Sequence, residues 1–124
     1  MELTGKRLLV LEDEYLIGLE LERIAEDCGI GSVQLVTTIE ELTVWIQSDA
    51  ECDIAIIEVE ARGLSSLPAA SLLRARGIPI VFTTAYEPER GGIPGFEGVP
   101  VVGKPYGRNQ IVQAVAAVRP AAPA

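Results

Sequence analysis

The chain has 124 residues, 48% hydrophobic and 23% charged, with a formal net charge of −8 at pH 7. That length fits one domain able to bury roughly two-thirds of its unfolded surface, and the excess of acids opposes non-specific binding to nucleic acid or an anionic membrane. No apolar run nears the ~20 residues of a membrane span, and the N-terminus lacks a signal-peptide layout, so a cytoplasmic protein is expected. There is no histidine, which excludes a histidine phosphodonor and a serine–histidine hydrolase. Two lone cysteines, Cys28 and Cys52, make a zinc site improbable and read as small buried hydrophobes.

In chain order, the pattern alternates strand and helix, which predicts a parallel sheet with helices on both faces. Lys6 to Leu11 is the first strand. The first helix runs from about Glu14 to Cys28, with Ile17, Leu21, Ile24 and Cys28 on one stripe and Gly29 as its stop. Ser32 to Val36 is a short second strand. Thr38-x-x-Glu41 is a capping box that opens the second helix, with Leu42, Trp45 and Ile46 turned inward, Trp45 as a packing residue.

Ile54 to Ile57 is a third strand, apolar on both faces as a central parallel strand should be. Residues 63–66 turn into a third helix that includes Leu72 and Leu73 and ends near Gly77. Ile80 to Thr83 is the fourth strand. The segment 87–98, EPERGGIPGFEG, holds four glycines and two prolines, too many for a stable helix interior, so any fourth helix is short or irregular. Val101 to Gly103 is the fifth strand and Arg108 to Val118 the fifth helix. Residues 1–119 form the domain, and 120–124 are a disordered Pro/Ala tail or the stub of a linker.

Four of the strands run into polar residues: Glu12-Asp13, Glu58, Thr84 and Lys104-Pro105. In an open parallel sheet these converge at the carboxyl edge, where ligands bind. Acids, a hydroxyl and a lysine there describe a magnesium and phosphoryl site, since magnesium takes one or two carboxylates with phosphate oxygens. Asp13 and Glu58 could ligate directly and Glu12 through water, while Lys104 would offset the clustered charge. Each residue also has a plainer reading. The acidic pair can complement a helix macrodipole, Lys104 can be a solvated lysine, and threonine suits strands in any case.

The blocks LLVLEDE, CDIAIIEVEARG, IPIVFTTAY and VVGKPY, in this order and at these intervals, resemble a response-regulator receiver domain over nearly the whole chain. FTTAY and GKPY lean toward single-domain receivers of alphaproteobacterial type. The resemblance implies a flavodoxin-like or CheY-like α/β fold with sheet order 2-1-3-4-5. It makes Glu12 and Asp13 the acidic pair, the backbone carbonyl of Glu60 a further metal ligand, Thr84 the switch hydroxyl and Lys104 the strand-five lysine.

Two positions depart from the family. Glu58 stands where receivers carry the phosphoacceptor aspartate, and one more methylene pushes its carboxylate outward by about 1.5 Å. Misplacement of that order can cost about a hundredfold in rate. Val101 stands where receivers often carry a rotating Tyr or Phe, with Tyr86 as a substitute of little weight.

These departures point to an atypical, phosphorylation-independent receiver. It would be a protein-binding module in bacterial two-component-type signalling, with no enzymatic activity of its own. Glu58 would contact Thr84 or pair with Lys104. The partner would be a histidine kinase or a downstream regulator on the face of the fourth helix, fifth strand and fifth helix, and the chain a monomer or weak homodimer. Alternatives are a residually phosphorylatable, magnesium-binding receiver, or a Toprim-like metal-dependent phosphotransfer or nuclease site built from Glu12 with Glu58-x-Glu60.

Overall fold

The computed structural model describes residues 3–85, 92–104 and 107–118. Its elements, in order, are β1 (Arg7–Leu11), α1 (Tyr15–Asp27), β2 (Ser32–Val36), α2 (Ile39–Gln47), β3 (Ile54–Glu58), β4 (Glu60–Ala61), β5 (Leu64–Ser65), α3 (Leu67–Ala75), β6 (Ile80–Thr84), β7 (Val101–Gly103) and α4 (Arg108–Ala117). Strands β2-β1-β3-β6-β7 form one parallel sheet. With β6 and β7 as the fourth and fifth sheet strands, this is the expected order 2-1-3-4-5.

Strand alternation sorts the core into two layers. Leu9, Leu11, Ala55, Ile57, Ile80 and Phe82 pack with Leu42 of α2 and Ala69, Ala70 and Leu73 of α3. Leu8, Val10, Ile54, Ile56, Val81 and Val102 pack with Leu21, Ile24 and Ala25 of α1 and Ile111, Ala114 and Val115 of α4. Successive strand side chains point to opposite faces, so consecutive residues of the unbroken apolar runs feed opposite layers. All five residues of β3 are buried, as its central place requires.

Local signals account for most boundaries. Gly29, at φ +86, follows the C-cap of α1. Thr38 caps α2, its Oγ1 accepting from the Glu41 N–H at 3.1 Å. The reciprocal bond reaches one residue further back than a capping box requires: Glu41 Oε1 accepts from Thr37 Oγ1 at 2.8 Å and from the Thr37 N–H at 3.3 Å.

The structure departs from the sequence reading just after β3. Residues 63–66 do not simply turn into a helix. Residues 60–65 form a tight antiparallel hairpin, pairing Glu60 with Ser65 and Ala61 with Leu64. Its two-residue loop, Arg62-Gly63, has positive φ at both positions, as the favoured hairpin turn demands. Leu72 and Leu73 both lie in α3, as expected, with Leu73 buried and Leu72 exposed.

The expected fourth helix lies partly on residues 86–91, outside the described set, and residues 92–100 carry no helix. Phe96 nevertheless enters the core. Its ring meets Phe82 edge-on at 5.1 Å and lies beneath the Arg74 guanidinium at 4.9 Å. Tyr86, Pro105, Tyr106 and the expected tail also fall outside the described residues. No helix among the described residues is long and apolar enough to cross a membrane.

Candidate functional site

Strand parity explains why distant polar residues meet. Glu12, Glu58 and Lys104 continue the alternation of Val10, Ile56 and Val102, so all three emerge on the α1–α4 side of the carboxyl edge. Lys104 Nζ lies 2.6 Å from Glu58 Oε1 and 2.8 and 2.9 Å from the two oxygens of Glu12. Glu12 is fully buried and Glu58 nearly so. The second Glu58 oxygen accepts from the Asp13 N–H at 3.1 Å, and Glu12 Oε2 also accepts from the Glu14 N–H at 2.9 Å.

Glu58 thus takes one of its two expected contacts, the lysine. Both of its carboxylate oxygens are engaged. Asp13 stands slightly apart, its Oδ2 accepting from the Arg62 N–H at 2.8 Å. Thr84, of the opposite strand parity, lines a cavity of about 200 Å³ with Asp13, Glu14, Glu58, Glu60, Arg62 and Ala85. Val101 is half-buried in β7 and packs against the α2–α3 core layer.

Carboxylates from Glu12, Asp13 and Glu58 come within 4.8 Å of one another and outnumber the one buried ammonium beside them. Burial pushes the Glu58 carboxyl up to about 7, and the bonds from Lys104 and the Asp13 N–H only partly offset it. Burial also works against the Lys104 ammonium, yet its bonds to Glu12 and Glu58 prevail and raise its pKa. For Asp13 burial is again the largest influence, but the Arg62 N–H and the neighbouring hydrogen bonds outweigh it and lower the pKa. The lysine therefore stays charged, and Glu58 is the acid on which crowding falls. Clustered hard oxygen donors with surplus negative charge could hold a divalent cation.

Three residues that position the site went unread in the sequence. Ser66, fully buried, donates its hydroxyl to the backbone oxygens of Glu58 at 2.5 Å and Val59 at 3.0 Å. Arg62 holds Asp13 through its backbone, in left-handed conformation at φ +51. Glu14 lies 3.7 Å from Lys104. The one available signal was Arg62-Gly63, a residue–glycine pair of the kind that closes hairpins.

No protein-family model and no curated protein matches the sequence. Solved structures do. SdrG from Sphingomonas melonis Fr1 is 32% identical over 94% of this chain and 98% of its own, with a TM-score of 0.72. The chain belongs to the response-regulator receiver family. The BeF3-activated conformation of SdrG from Pseudomonas melonis Fr1 gives 33% identity and a TM-score of 0.75, covering 92% of this receiver and 96% of that chain. The response regulator PhyR from Brucella abortus aligns with 94% of this receiver at a TM-score of 0.79. At 24% identity that likeness shows the fold alone, and this chain spans 48% of the PhyR chain.

Proposed function

We propose that this receiver is a phosphorylation-independent, protein-binding regulatory module of two-component-type signalling, with Glu58 in the phosphoacceptor's seat. The observation that carries this reading is the double engagement of Glu58, by Lys104 Nζ at 2.6 Å and the Asp13 N–H at 3.1 Å. An acceptor carboxylate must offer one oxygen in line with a donor phosphorus, and misplacement by about 1 Å costs on the order of a hundredfold. The longer glutamate instead reaches the lysine and holds the carboxyl edge together without a phosphoryl group.

Magnesium fits the donor set. Asp13, Glu58, Glu12 and the Glu60 backbone carbonyl would hold it, and it would supply charge neutralisation among the acids. Lys104 competes for two of those carboxylates, so the ion would bind more weakly than where the lysine engages one acid. The receiver is proposed to catalyse no reaction of its own: Glu12 and Glu58 are committed to Lys104, and the acidic surface repels a nucleic-acid substrate.

Incubation with acetyl phosphate and magnesium, read by intact mass, tests the proposal. The wild-type chain stays unmodified, while Glu58→Asp, with its shorter side chain, gains a phosphoryl group. A stoichiometric adduct mapped to Glu58 of the wild type overturns it.

A further inference from the structure

Strand β2 is one edge of the sheet, and its sequence, SVQLV, carries neither charge nor proline. Proteins commonly shield an edge with such residues, because its unpaired N–H and C=O groups template a further strand. The opposite edge, β7, is only three residues long, follows Pro100 and runs into Lys104. Pairing with β1 decides which groups of β2 lie open. The Ser32 N–H donates to Lys6 O, and Val36 O accepts from the Glu12 N–H, so residues 32, 34 and 36 turn their backbone polar groups toward β1. Those of Val33 and Leu35 therefore point outward, and among the described residues no bond from outside the sheet reaches them.

A pocket of about 200 Å³ opens beside this edge. Strand alternation puts Arg7, Ser32 and Gln34 on the α2 side of the sheet, in line with Leu9. Val36 is buried in that layer, whereas Ser32 and Gln34 are exposed. Trp45 and Cys52 wall the pocket. The Arg76 guanidinium lies over the Trp45 ring at 5.1 Å and donates to the Ile46 and Ala50 carbonyls, which fixes that wall. Arg7 is held by Glu51 and Asp53, so the guanidinium in the pocket is already matched. Burial pushes the Cys52 thiol up to about 11, so it stays neutral and the wall is apolar.

The rim of the edge is acidic. Gly18 of α1 sits against Leu35, where an added Cβ would lie 2.9 Å from the side chain. Glu22 and Glu26 follow one and two turns later along that flank, and Glu40 and Glu41 lie in the first turn of α2 beyond the far end of the strand. Arg23 and Arg108 are paired with Glu20 and Asp27. Lys6, and Arg62, whose charge is felt at Glu41, offset the four rim acids only in part. A second copy of this chain, with its net charge of −8, would add like charge to this rim, and a basic segment would neutralise it.

We propose that β2 is a docking edge for an extended, basic-flanked segment of a partner protein. The segment pairs with the outward N–H and C=O groups of Val33 and Leu35 and extends the sheet by one strand. One bulky apolar side chain of the segment enters the pocket against Trp45. Main-chain bonds supply affinity, and the pocket supplies side-chain preference. This goes beyond the proposed function, which leaves the partner's chemistry open, and it does not draw on the state of Glu58.

The test titrates the isotope-labelled chain with a capped Thr/Val peptide bearing a central Phe and lysines at both ends, followed by NMR. Shift changes should centre on residues 32–36 and the Trp45 indole, and the Val33 and Leu35 amides should gain protection from exchange. N-methylation of one alternate set of peptide amides should weaken binding about tenfold or more, and of the other set far less. Replacing the central Phe by Ser, or the lysines by glutamates, should weaken it as well. Ser32→Trp, which fills the pocket from an exposed position, should weaken binding, whereas Ser71→Trp, exposed on α3, should not. Absence of binding, equal binding of the two N-methylated forms, of the Ser-centred peptide or of the Glu-flanked peptide, like behaviour of the two Trp variants, or shifts centred elsewhere overturn the inference. So does protection of Val33 and Leu35 that rises with concentration of the chain alone, together with a dimer in sedimentation, since a second copy would then hold the edge. No phosphodonor is present, so a mass adduct on Glu58 would defeat the proposed function while leaving this result to stand or fall separately.

Discussion

At the scale of single residues, the site is a problem in charge balance. Lys104 is the ammonium shared by two buried glutamates, and removing one partner of a buried pair strands the rest without compensation. Lys104→Met is therefore expected to lower unfolding free energy by about 3–5 kcal/mol, read as a drop in urea midpoint at unchanged slope. Adding Glu58→Gln to that variant should recover part of the loss, because it removes one stranded charge. If Lys104→Met unfolds at the wild-type midpoint, the ammonium is not what holds these acids. The sequence made Glu12, Asp13, Glu58 and Lys104 legible as a group, since each follows an apolar run. It did not say which acid the lysine would choose, because that depends on reach and parity once the strands are side by side.

At the scale of elements, the hairpin β4–β5 is the unexpected feature and Ser66 its fastening. The Ser66 hydroxyl bonds two backbone oxygens just beyond the carboxyl end of β3, and its own N–H bonds Val59 O at 2.9 Å. Ser66→Ala takes the hydroxyl donor from Glu58 O, while Val59 O keeps the backbone N–H of residue 66, and is expected to cost about 1–3 kcal/mol. Amide exchange should rise at residues 59–65 before it rises in β1 or β3; uniform exchange across the domain would deny the hairpin this local anchor. The helices and sheet strands were readable because each carries its own period of apolar residues. The hairpin was not, since two-residue strands have no period and a serine ahead of Leu-Pro reads equally well as a helix cap.

At the scale of the whole molecule, one ion pair ties the start of β1 to the residue ahead of β3. Asp53 accepts from the Arg7 backbone N–H at 2.7 Å and from the Arg7 guanidinium at 3.1 Å through each oxygen. Those bonds hold the Asp53 carboxyl down at about 2. Between that value and the ordinary carboxylate range near 4, the unfolded chain binds more protons than the folded one, so stability rises with pH there. The Asp53 contribution is complete above about pH 4 and is lost as pH falls through about 2. Asp53→Asn should accordingly show a shallower loss of denaturant midpoint between pH 4 and 2 than the wild type. Parallel acid profiles would mean that the pair is too well solvated to matter.

The sequence by itself determined the alternation of elements, the order of the sheet through its resemblance to receivers, and the presence of an over-long acid among the edge residues. Those features are written in local periodicity and in motif spacing. Only the tertiary structure decided that Glu58 lies on Lys104, that Arg62 and Ser66 brace the edge through the backbone, and that Trp45 and Cys52 wall a pocket beside β2. Each of those depends on distances between segments far apart in the chain, and a linear pattern carries side-chain chemistry without carrying separation.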